Sequence, residues 1–281
     1  MKIALNEAST LNIENTGAYV TFNDWQAPDN IRYGYSTRML GESTGVFASM
    51  NFGTKLGDDP KIVKRNYERM CNALRMPSKR LVISKQTHSC NVKKVTEEDA
   101  GNGIVFENRF NAVDAMMTNV KNLPLVISTA DCVPVFFCDS KGEVIAAAHA
   151  GWRGTVGGIV KNTVESMTKE YGLKPENIYA AIGPSICRHC FEIGPEVATE
   201  FEKEFDLPMD ESDSVLYHGE GDRFYADLWK ANAINLERAG VRKENIAFSR
   251  LCTMCRTDLF FSHRVMGERR GSNCGFIMLN C

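Results

Sequence analysis

Three short motifs carry residues that could bind a metal ion. They are KQTHS around His88, TADC ending at Cys132 and HAGWRGT beginning at His149. Each motif follows an apolar run typical of a β-strand, and strands that end together would point the three side chains at one place. Catalytic zinc sites take three protein ligands from His, Cys and carboxylates and keep one position open. The pattern therefore predicts a metal site with an open coordination position.

The same residues fit a second chemistry, in which Cys132 is a nucleophile. A thiolate activated by His88 or His149 would attack acyl or amide carbonyls, and the neighbouring Asp131 would orient the histidine. Sequence spacing does not separate this interpretation from metal binding.

The glycine-rich stretch that begins at His149 resembles an anion-binding loop. Its glycines would let the backbone approach a phosphate, the helix after it would offer free N–H groups, and Arg153 would supply positive charge. The stretch is neither a P-loop nor a dinucleotide fingerprint, because the GK[ST] ending and the G-x-G-x-x-G spacing are both missing. A phosphate pocket beside a metal ligand would suit phosphoryl or phosphorolytic chemistry.

Two Cys-x-x-Cys pairs compete for a metal ion, namely Cys187 with Cys190 and Cys252 with Cys255. Four cysteines in two such pairs are the usual pattern of a structural zinc site. Here the pairs lie far apart, and each follows a strand in a segment that also contains a helix end and a polar Glu-Asn-Ile loop. The sequence therefore favours the two histidines and Cys132 as the metal site.

The elements that must position these residues alternate between strands and helices without an obvious linker. Apolar periodicity predicts a helix capped by Asp59, a second helix over 155–171 that stops at Gly172, and a third capped by Asp227. The alternation indicates a layered α/β fold with a mixed central sheet. We expect one domain that covers residues 1–281.

The composition of the chain indicates which classes of partner it binds and in which cellular compartment it works. With 281 residues, 43% of them hydrophobic, the chain can bury a full core, and its net charge of -2 argues against nucleic acid or an anionic membrane as the main partner. Small molecules are better candidates. The first eleven residues lack the apolar core of a signal peptide, so we expect a cytoplasmic protein whose ten cysteines are free thiols or metal ligands.

The chain is similar to the multicopper polyphenol oxidase family, also called the laccase-domain or YfiH-like family, whose members are regarded as purine nucleoside phosphorylases. The resemblance covers nearly the whole chain, and TADC followed by HAGWRGT is its most specific part. The other matching motifs are GYSTR at 34–38, MNFG at 50–53, GDDP at 57–60, KQTHS, VDAMMTN at 113–119, GPSIC at 183–187, FEIGPEV at 191–197 and FFSHR at 260–264.

The resemblance implies a four-layer α/β/β/α sandwich with mixed sheets and a single zinc ion held by His88, Cys132 and His149. Similar members are described as cleaving adenosine, inosine, guanosine and methylthioadenosine with phosphate, and as deaminating adenosine. Copper, which the family name suggests, fits less well. A laccase also needs a trinuclear cluster with many more histidines, and this chain has five in total.

Other residues are candidates for the supporting roles of this chemistry. Phosphorolysis needs phosphate aligned on the anomeric carbon, and deamination needs an activated water and a proton carrier. Arg38 and Arg153 are the candidates to hold phosphate. Asn51 and Gln86 are candidate substrate contacts. Asp131 is the nearest carboxylate in sequence that could carry the proton.

Two departures from the family and two other functions stay open. Where many members carry Asn-Arg in the helix after GDDP, this chain has Asn66 followed by Tyr67, so that arginine is replaced by Arg65 or absent. Where many members read Thr-Gly-Arg, this chain has Arg270, Gly271 and Ser272, so the arginine role would shift to Arg269 or Arg270. A cysteine-dependent amidase, or an editing enzyme for peptidoglycan precursors, would keep its activity after metal removal. A non-enzymatic metal-binding protein would hold zinc without turnover. A zinc-dependent phosphorylase acting on purine nucleosides and phosphate is the leading hypothesis.

Overall fold

Strands and helices alternate along the chain, as the apolar pattern predicts. The structure is a computed structural model that describes residues 1–53, 55–211 and 214–280. The α-helices of these residues are α1 Pro60–Leu74, α2 Trp152–Val156, α3 Ile159–Tyr171, α4 Pro195–Phe205, α5 Leu228–Arg238 and α6 His263–Met266. Their strands are β1 Lys2–Asn6, β2 Ser9–Ile13, β3 Ala18–Phe22, β4 Ile31–Ser36, β5 Val82–Ile83, β6 Val92–Lys94, β7 Ala115–Thr118, β8 Leu125–Thr129, β9 Val133–Asp139, β10 Ile145–Ala150, β11 Ile178–Ile182, β12 Glu192–Ile193, β13 Leu216–His218, β14 Phe224–Ala226, β15 Ile246–Phe248 and β16 Asn273–Leu279.

Two large mixed sheets form the centre of the molecule. Within the described ranges, one sheet has seven strands in the order β1-β2-β3-β4-β16-β8-β5, and the other has six in the order β15-β11-β9-β10-β7-β6. A small third sheet has the order β12-β14-β13. The pairs β5 with β8, β6 with β7, and β11 with β15 are parallel, while β9 and β10 are antiparallel. The prediction of mixed sheets is confirmed.

Three hydrophobic clusters between the layers give the order of those layers. In the first cluster, Met70 of α1 packs with Phe276 of β16 on one face of the seven-stranded sheet. In the second, Tyr35 of β4 and Phe136 of β9 lie between the two sheets. In the third, Val164 of α3 covers the outer face of the six-stranded sheet. The order is helix, sheet, sheet, helix, which confirms the four-layer α/β/β/α sandwich.

The two Asp-capped helices begin where the sequence predicts them. The side chain of Asp59 accepts a hydrogen bond from the backbone N–H of Lys61 at 2.8 Å, and that of Asp227 accepts one from Lys230 at 3.0 Å. Each bond satisfies an N–H group that has no partner within its own helix. Both predicted caps are confirmed.

The predicted helix over 155–171 is wrong at its start, because the segment forms two helices instead of one. Helix α2 ends at Val156, and α3 begins at Ile159. Gly158 between them has φ +76°, a left-handed conformation that interrupts the helical hydrogen bonds and that glycine adopts without strain. The predicted stop is confirmed, since Gly172 caps α3 in the same conformation.

In the part of the chain that the structure describes, every helix is too short or too polar to span a lipid bilayer.

Candidate metal centre

His88, Cys132 and His149 converge on one site, called here the His–Cys–His centre. Their ligand atoms all lie within 4.8 Å of one another. His88 lies in the segment after β5 of the seven-stranded sheet, and Cys132 lies in the connection that crosses from β8 of that sheet to β9 of the other. His149 is the penultimate residue of β10. The predicted convergence of the three residues is confirmed.

The expected route to this convergence, three strands ending together, is confirmed: His88 and Cys132 follow the ends of the parallel neighbours β5 and β8, and His149 lies near the end of β10. Strands β9 and β10 are antiparallel, and Ala150 pairs with Val133. Cys132 therefore stands just before the start of one strand while His149 stands near the end of its neighbour. The sequence did not indicate this second relation, in which an antiparallel pair brings the start of β9 and the end of β10 to the same edge of the sheet.

The centre is buried on one side and open on the other. His149 is only 3% exposed, Cys132 is partly buried, and His88 is exposed. The Sγ of Cys132 lies 3.9 Å from Nε2 of His88, and the two imidazole rings meet edge to face with 4.9 Å between their centroids. A ligand could approach from the side of His88, which is the arrangement expected of a site with an open coordination position.

A buried carboxylate that sequence reasoning did not single out, Asp114, orients His149. Its Oδ1 lies 2.9 Å from Nδ1 of His149, and the Asp114 side chain has no exposed surface. When the imidazole is neutral, as a metal ligand must be, this contact keeps its proton on Nδ1 and leaves the lone pair of Nε2 for the metal ion. The only signal in the sequence is an acidic residue directly before the apolar run that forms β7.

Asp114 also fixes the backbone around His88. Its carboxylate accepts hydrogen bonds from the backbone N–H groups of Thr87, His88 and Ser89 at 2.8 to 3.0 Å, and from the Ser89 hydroxyl at 2.7 Å. His88 has φ +62°, a left-handed conformation that costs free energy for a residue with a Cβ. The three N–H bonds offset that cost, so one carboxylate positions two of the three candidate ligands.

The electrostatics of the centre favour a charged Cys132 and a charged His149. Burial raises the pKa of the Cys132 thiol, but the adjacent His149 and His88 more than offset this and lower it to about 6. Burial lowers the pKa of His149, but Cys132 and Asp114 raise it to about 9. The thiolate is the form of cysteine that binds metals and that acts as a nucleophile. Both chemistries inferred from the sequence are therefore compatible with the centre.

Gly151 in the HAGWRG motif leaves space for two of the candidate ligands. A Cβ atom at this position would lie 2.7 Å from Cδ2 of His88 and 3.1 Å from Sγ of Cys132. Both distances are shorter than ordinary van der Waals contact, so any side chain here would displace the ligands. The role of this glycine is close packing against the centre.

Asp131 does not orient a histidine, which corrects the expectation for the nucleophile interpretation. Its carboxylate accepts hydrogen bonds from the hydroxyls of Thr253 at 2.6 Å and Ser262 at 3.0 Å, and from the backbone N–H of Arg264 at 2.7 Å. The residue is buried, with φ +83°. These contacts tie Asp131 to later segments of the chain, and the orienting carboxylate is Asp114.

The two candidate amide side chains, Asn51 and Gln86, make hydrogen bonds within the protein. Asn51 is fully buried; its Oδ1 accepts from the backbone N–H groups of Gly53 and Ser272, and its Nδ2 donates to Asp58. Gln86 bonds both backbone groups of Ser128 in β8, through Oε1 at 2.8 Å and Nε2 at 2.6 Å. Both residues hold loops in place, and their contact with substrate stays a prediction.

The two candidate arginines differ in how free they are. The guanidinium of Arg38 donates to the backbone carbonyls of Ala48 and Thr257 and lies 4.6 Å from the centroid of the Phe261 ring. Arg153 lies in α2, shortly after the end of β10; it is exposed, and its guanidinium lies over the Trp152 ring at 4.2 Å. Arg153 is therefore the freer of the two cations, and phosphate binding by either stays a prediction.

Arg270 is a third candidate cation, and the charges of Asp131 and Cys132 act on it. Its Nη1 donates to the Gly271 carbonyl at 3.1 Å, whereas its Nε is buried and has no hydrogen-bond partner among the described residues. Burial lowers the pKa of the guanidinium, and the negative charges of Asp131 and Cys132 act against that lowering. An unpaired buried donor of this kind can accept an anion as its partner.

The structure also gathers the two Cys-x-x-Cys pairs. The Sγ atoms of Cys187, Cys190, Cys252 and Cys255 all lie within 4.8 Å of one another, and we call them the four-cysteine cluster. The sequence favoured the two histidines and Cys132 over these pairs, which lie far apart in the chain, whereas the structure gathers both sets of residues. Distance along the chain does not limit contact here, because the strands that precede the two pairs, β11 and β15, are parallel neighbours.

Known proteins resemble this chain over most of its length. It is 37% identical over 253 residues to a purine nucleoside phosphorylase of Bacteroides thetaiotaomicron, a match that covers 89% of this chain and 92% of the relative. It is 36% identical to the adenosine deaminase RL5 of an unknown prokaryotic organism, over 84% of this chain and 89% of that protein. The crystal structure of Bacillus licheniformis hypothetical protein YfiH superimposes with a TM-score of 0.87 at 30% identity, covering 96% of this chain and 99% of that one.

The family model described as multi-copper polyphenol oxidoreductase laccase matches residues 32–280, which include every residue of the His–Cys–His centre and of the four-cysteine cluster. The match confirms the resemblance read from the TADC and HAGWRGT motifs. This chain belongs to the multi-copper polyphenol oxidoreductase laccase family.

Proposed function

We propose that this chain is a zinc-dependent purine nucleoside phosphorylase that also deaminates adenosine, and that residues 1–281 act as one domain in the cytoplasm. The observation that carries the proposal is the half-open His–Cys–His centre with an unpaired arginine donor close to it. The relatives named purine nucleoside phosphorylase and adenosine deaminase support both activities. We extend the substrates to adenosine, inosine, guanosine and methylthioadenosine, each with phosphate.

The donor set of the centre fits zinc. Two imidazoles and one thiolate within 4.8 Å of one another match three-ligand catalytic zinc sites. Two histidines and a cysteine also suit a single copper ion, but a laccase needs further histidines for its trinuclear cluster. The other three histidines of the chain lie elsewhere, at positions 189, 218 and 263. Zinc bound here would supply Lewis-acid chemistry and activate a water molecule near neutral pH.

Two residues outside the ligand set prepare the centre for this ion. Asp114 accepts from Nδ1 of His149 and from the backbone N–H of His88, so the His149 imidazole and the His88 backbone are held in place before a metal ion binds. Gly151 keeps the space beside His88 and Cys132 free of a side chain. Such outer-shell contacts fix ligand geometry and raise metal affinity.

The arginines near the centre would bind the anionic substrate. We assign phosphate to the unpaired Nε of Arg270, because phosphate oxygens would satisfy a donor that now has no partner among the described residues. The exposed guanidinium of Arg153 would add charge at the open side. Arg38 would contribute less, because its donors already bond to backbone carbonyls.

Asp131 is the candidate proton carrier of the deamination, and its carboxylate already has three hydrogen-bond donors. Asp131 keeps the role predicted for it only if it releases one of its three hydrogen bonds to Thr253, Ser262 and Arg264. Those bonds favour a positioning role, in which Asp131 fixes the turn that presents Cys132. Asp114 is no better as a proton carrier, because its bonds to His149 and Ser89 outweigh the effect of burial and hold the pKa of its carboxyl well below the usual range.

A cysteine-dependent amidase, or an editing enzyme for peptidoglycan precursors, is the second candidate, and one observation favours it. His149 lies between Asp114 and Cys132, which is the order of groups in a Cys-His-Asp triad. A nucleophilic Cys132 would form a covalent acyl intermediate and would need no metal ion. Alkylation of metal-free protein separates the candidates, because the amidase would be active before alkylation and the phosphorylase would not.

The experiment that tests the proposal is adenosine turnover with and without phosphate, on protein of measured zinc content. We expect ribose 1-phosphate and adenine only when phosphate is present, and inosine in both conditions. Cys132→Ala should lose all of these products. Cys90→Ser is the matched control, because it removes a partly buried thiol that belongs to neither metal site.

The possible results lead to different conclusions. Inosine formation alone would leave a deaminase and remove the phosphorylase from the proposal. No turnover of any of the four nucleosides by zinc-loaded wild type would refute the proposal and favour the amidase. Activity that survives Cys132→Ala would show that the centre is not the active site.

A further inference from the structure

The four-cysteine cluster has the dimensions of a tetrahedral metal site. All four Sγ atoms lie within 4.8 Å of one another, and those of Cys190 and Cys255 are 3.4 Å apart. A zinc ion with bonds of about 2.3 Å to four thiolates places its sulfurs about 3.8 Å apart. All four residues are free cysteines, so the sulfurs are available as ligands.

The backbone around the cluster is already arranged for a thiolate. Sγ of Cys252 accepts hydrogen bonds from the backbone N–H groups of Cys187 at 3.3 Å and of Cys255 at 3.4 Å. The N–H of Cys190 donates to the carbonyl of Cys187 at 3.0 Å and closes the first Cys-x-x-Cys turn. Donors aimed at a sulfur stabilise its negative charge, which is the state that a zinc ligand must have.

The four cysteines meet because of the position of the two pairs in the six-stranded sheet. Strands β11 and β15 are parallel neighbours in the six-stranded sheet, and each runs into one Cys-x-x-Cys loop. Ser185 and Cys252 form a bridge just beyond the strands, which sets the register of the two loops. The similar segments that end in Cys187 and Cys252 therefore place equivalent cysteines side by side.

From this geometry we propose that Cys187, Cys190, Cys252 and Cys255 bind a structural zinc ion, separate from the ion of the His–Cys–His centre. Two Cys-x-x-Cys turns that supply four thiolates make a closed site, with no position left for water or substrate. Soft thiolates in a tetrahedral arrangement favour zinc over magnesium, calcium or manganese. This inference goes beyond the proposed function and does not depend on it.

The zinc would hold the loops that support the turn before Cys132. Thr253, inside the second Cys-x-x-Cys turn, donates to Asp131 at 2.6 Å, and the N–H of Ile186, next to Cys187, donates to the Asp131 carbonyl at 3.0 Å. Both contacts reach the residue that precedes Cys132 in the chain. A zinc ion in the cluster would thus crosslink the two loops that clamp this turn.

Metal stoichiometry tests the proposal directly. Purified full-length protein loaded with zinc and then dialysed should hold two zinc ions per chain by elemental analysis. The double variant Cys132→Ala/His149→Ala should hold one, and so should Cys187→Ser/Cys190→Ser. Cys90→Ser should keep both, because Cys90 belongs to neither site.

A spectroscopic readout protects the test from a variant that fails to fold. Cobalt(II) loaded into Cys132→Ala/His149→Ala should give the intense sulfur-to-cobalt absorption and the tetrahedral ligand-field bands of a four-thiolate site. One zinc ion in the wild type that disappears from this double variant would overturn the proposal. So would two disulfides found by mass spectrometry of protein purified without reductant, or bound iron in place of zinc.

Discussion

The two groups of candidate metal ligands in this molecule have similar dimensions, but they differ in their donor atoms and in their exposure. The His–Cys–His centre combines three ligand atoms from both sheets and has an exposed side at His88. The four-cysteine cluster takes all its ligand atoms from two similar turns after parallel strands. An open, mixed donor set suits catalysis, and a closed set of thiolates suits structure.

The groups that contact the ligands also differ between the two sites. Around the His–Cys–His centre, the carboxylate of Asp114 fixes two ligands and the unpaired Nε of Arg270 offers a place for an anion. Around the cluster, the donors to sulfur are backbone N–H groups of the turns themselves. This difference supports our two proposals, that the first site takes a substrate and that the second holds only an ion. Four substitutions test whether the two sites differ in this way.

The largest effect is expected for Gly151→Ala. The new Cβ would lie 2.7 Å from Cδ2 of His88 and 3.1 Å from Sγ of Cys132, so both ligands must move. We expect zinc affinity at the His–Cys–His centre and phosphorolysis to fall by about 100-fold or more, by analogy with lost outer-shell support. Zinc titration and kcat/KM measure the two effects. Gly154→Ala is the control, because its Cβ would meet the Ile159 side chain at 3.3 Å and the His149 carbonyl at an ordinary 3.5 Å, but no side chain of the three ligands. Equal losses in both variants would contradict the steric argument.

The next largest effect is expected for Asp114→Asn. The amide keeps the shape but cannot accept all the bonds from His149, His88 and Ser89, so the imidazole loses its fixed orientation. We expect a 10- to 100-fold loss in metal affinity, roughly the cost of an outer-shell substitution at a metal site, with the four-cysteine cluster still filled. The readout is zinc affinity measured site by site with a competing chelator.

Asp139→Asn is the matched control for Asp114→Asn. Asp139 is also buried, and its carboxylate also accepts hydrogen bonds from backbone N–H groups, those of Lys141, Glu143 and Val144. It lies at the end of β9, whereas Cys132 directly precedes the start of that strand. We expect this control to lower thermal stability without changing zinc affinity. A matching loss of zinc in both variants would mean that Asp114 acts through general stability.

A smaller effect is expected for Arg270→Lys, which keeps the charge but removes the unpaired Nε. We expect KM for phosphate to rise about tenfold with kcat nearly unchanged, because ground state and transition state lose the same contact. Zinc content at both sites should stay the same. Arg269→Lys, which changes an exposed neighbour, should have no effect. An unchanged KM in Arg270→Lys would remove this residue from the phosphate site.

The smallest effect is expected for Thr253→Val, which removes one of the two hydrogen bonds that join the cysteine loops to Asp131. The change removes the 2.6 Å bond to the Asp131 carboxylate and should destabilise the protein by about 1 to 3 kcal/mol. We expect both zinc ions to remain and activity to fall only a few-fold, measured alongside unfolding in denaturant.

Thr163→Val is the comparison for Thr253→Val, since it removes a buried hydroxyl that donates to the Ile159 carbonyl within α3. A large loss of activity in Thr253→Val that Thr163→Val does not share would show that the cluster controls the centre more strongly than we infer.

Local signals in the sequence were sufficient for many features of the fold. Apolar periodicity and a capping aspartate predicted α1 and α5, and Gly172 predicted the end of α3, because these depend on residues within one or two turns. The same logic failed at Gly157 and Gly158, where the backbone conformation breaks the expected helix. The layer order was predicted through the family resemblance, and the three hydrophobic clusters confirm it.

By itself the sequence determined the chemistry-bearing residues: two histidines and a cysteine in family motifs, and two Cys-x-x-Cys pairs. Only the tertiary structure decided which side chains meet. It selected Asp114 over Asp131 as the group that orients His149, and it joined two cysteine pairs that lie 65 residues apart in the chain. The physical reason is that contacts across sheets depend on strand order and direction, which arise from packing of the whole core and leave no local pattern in the chain.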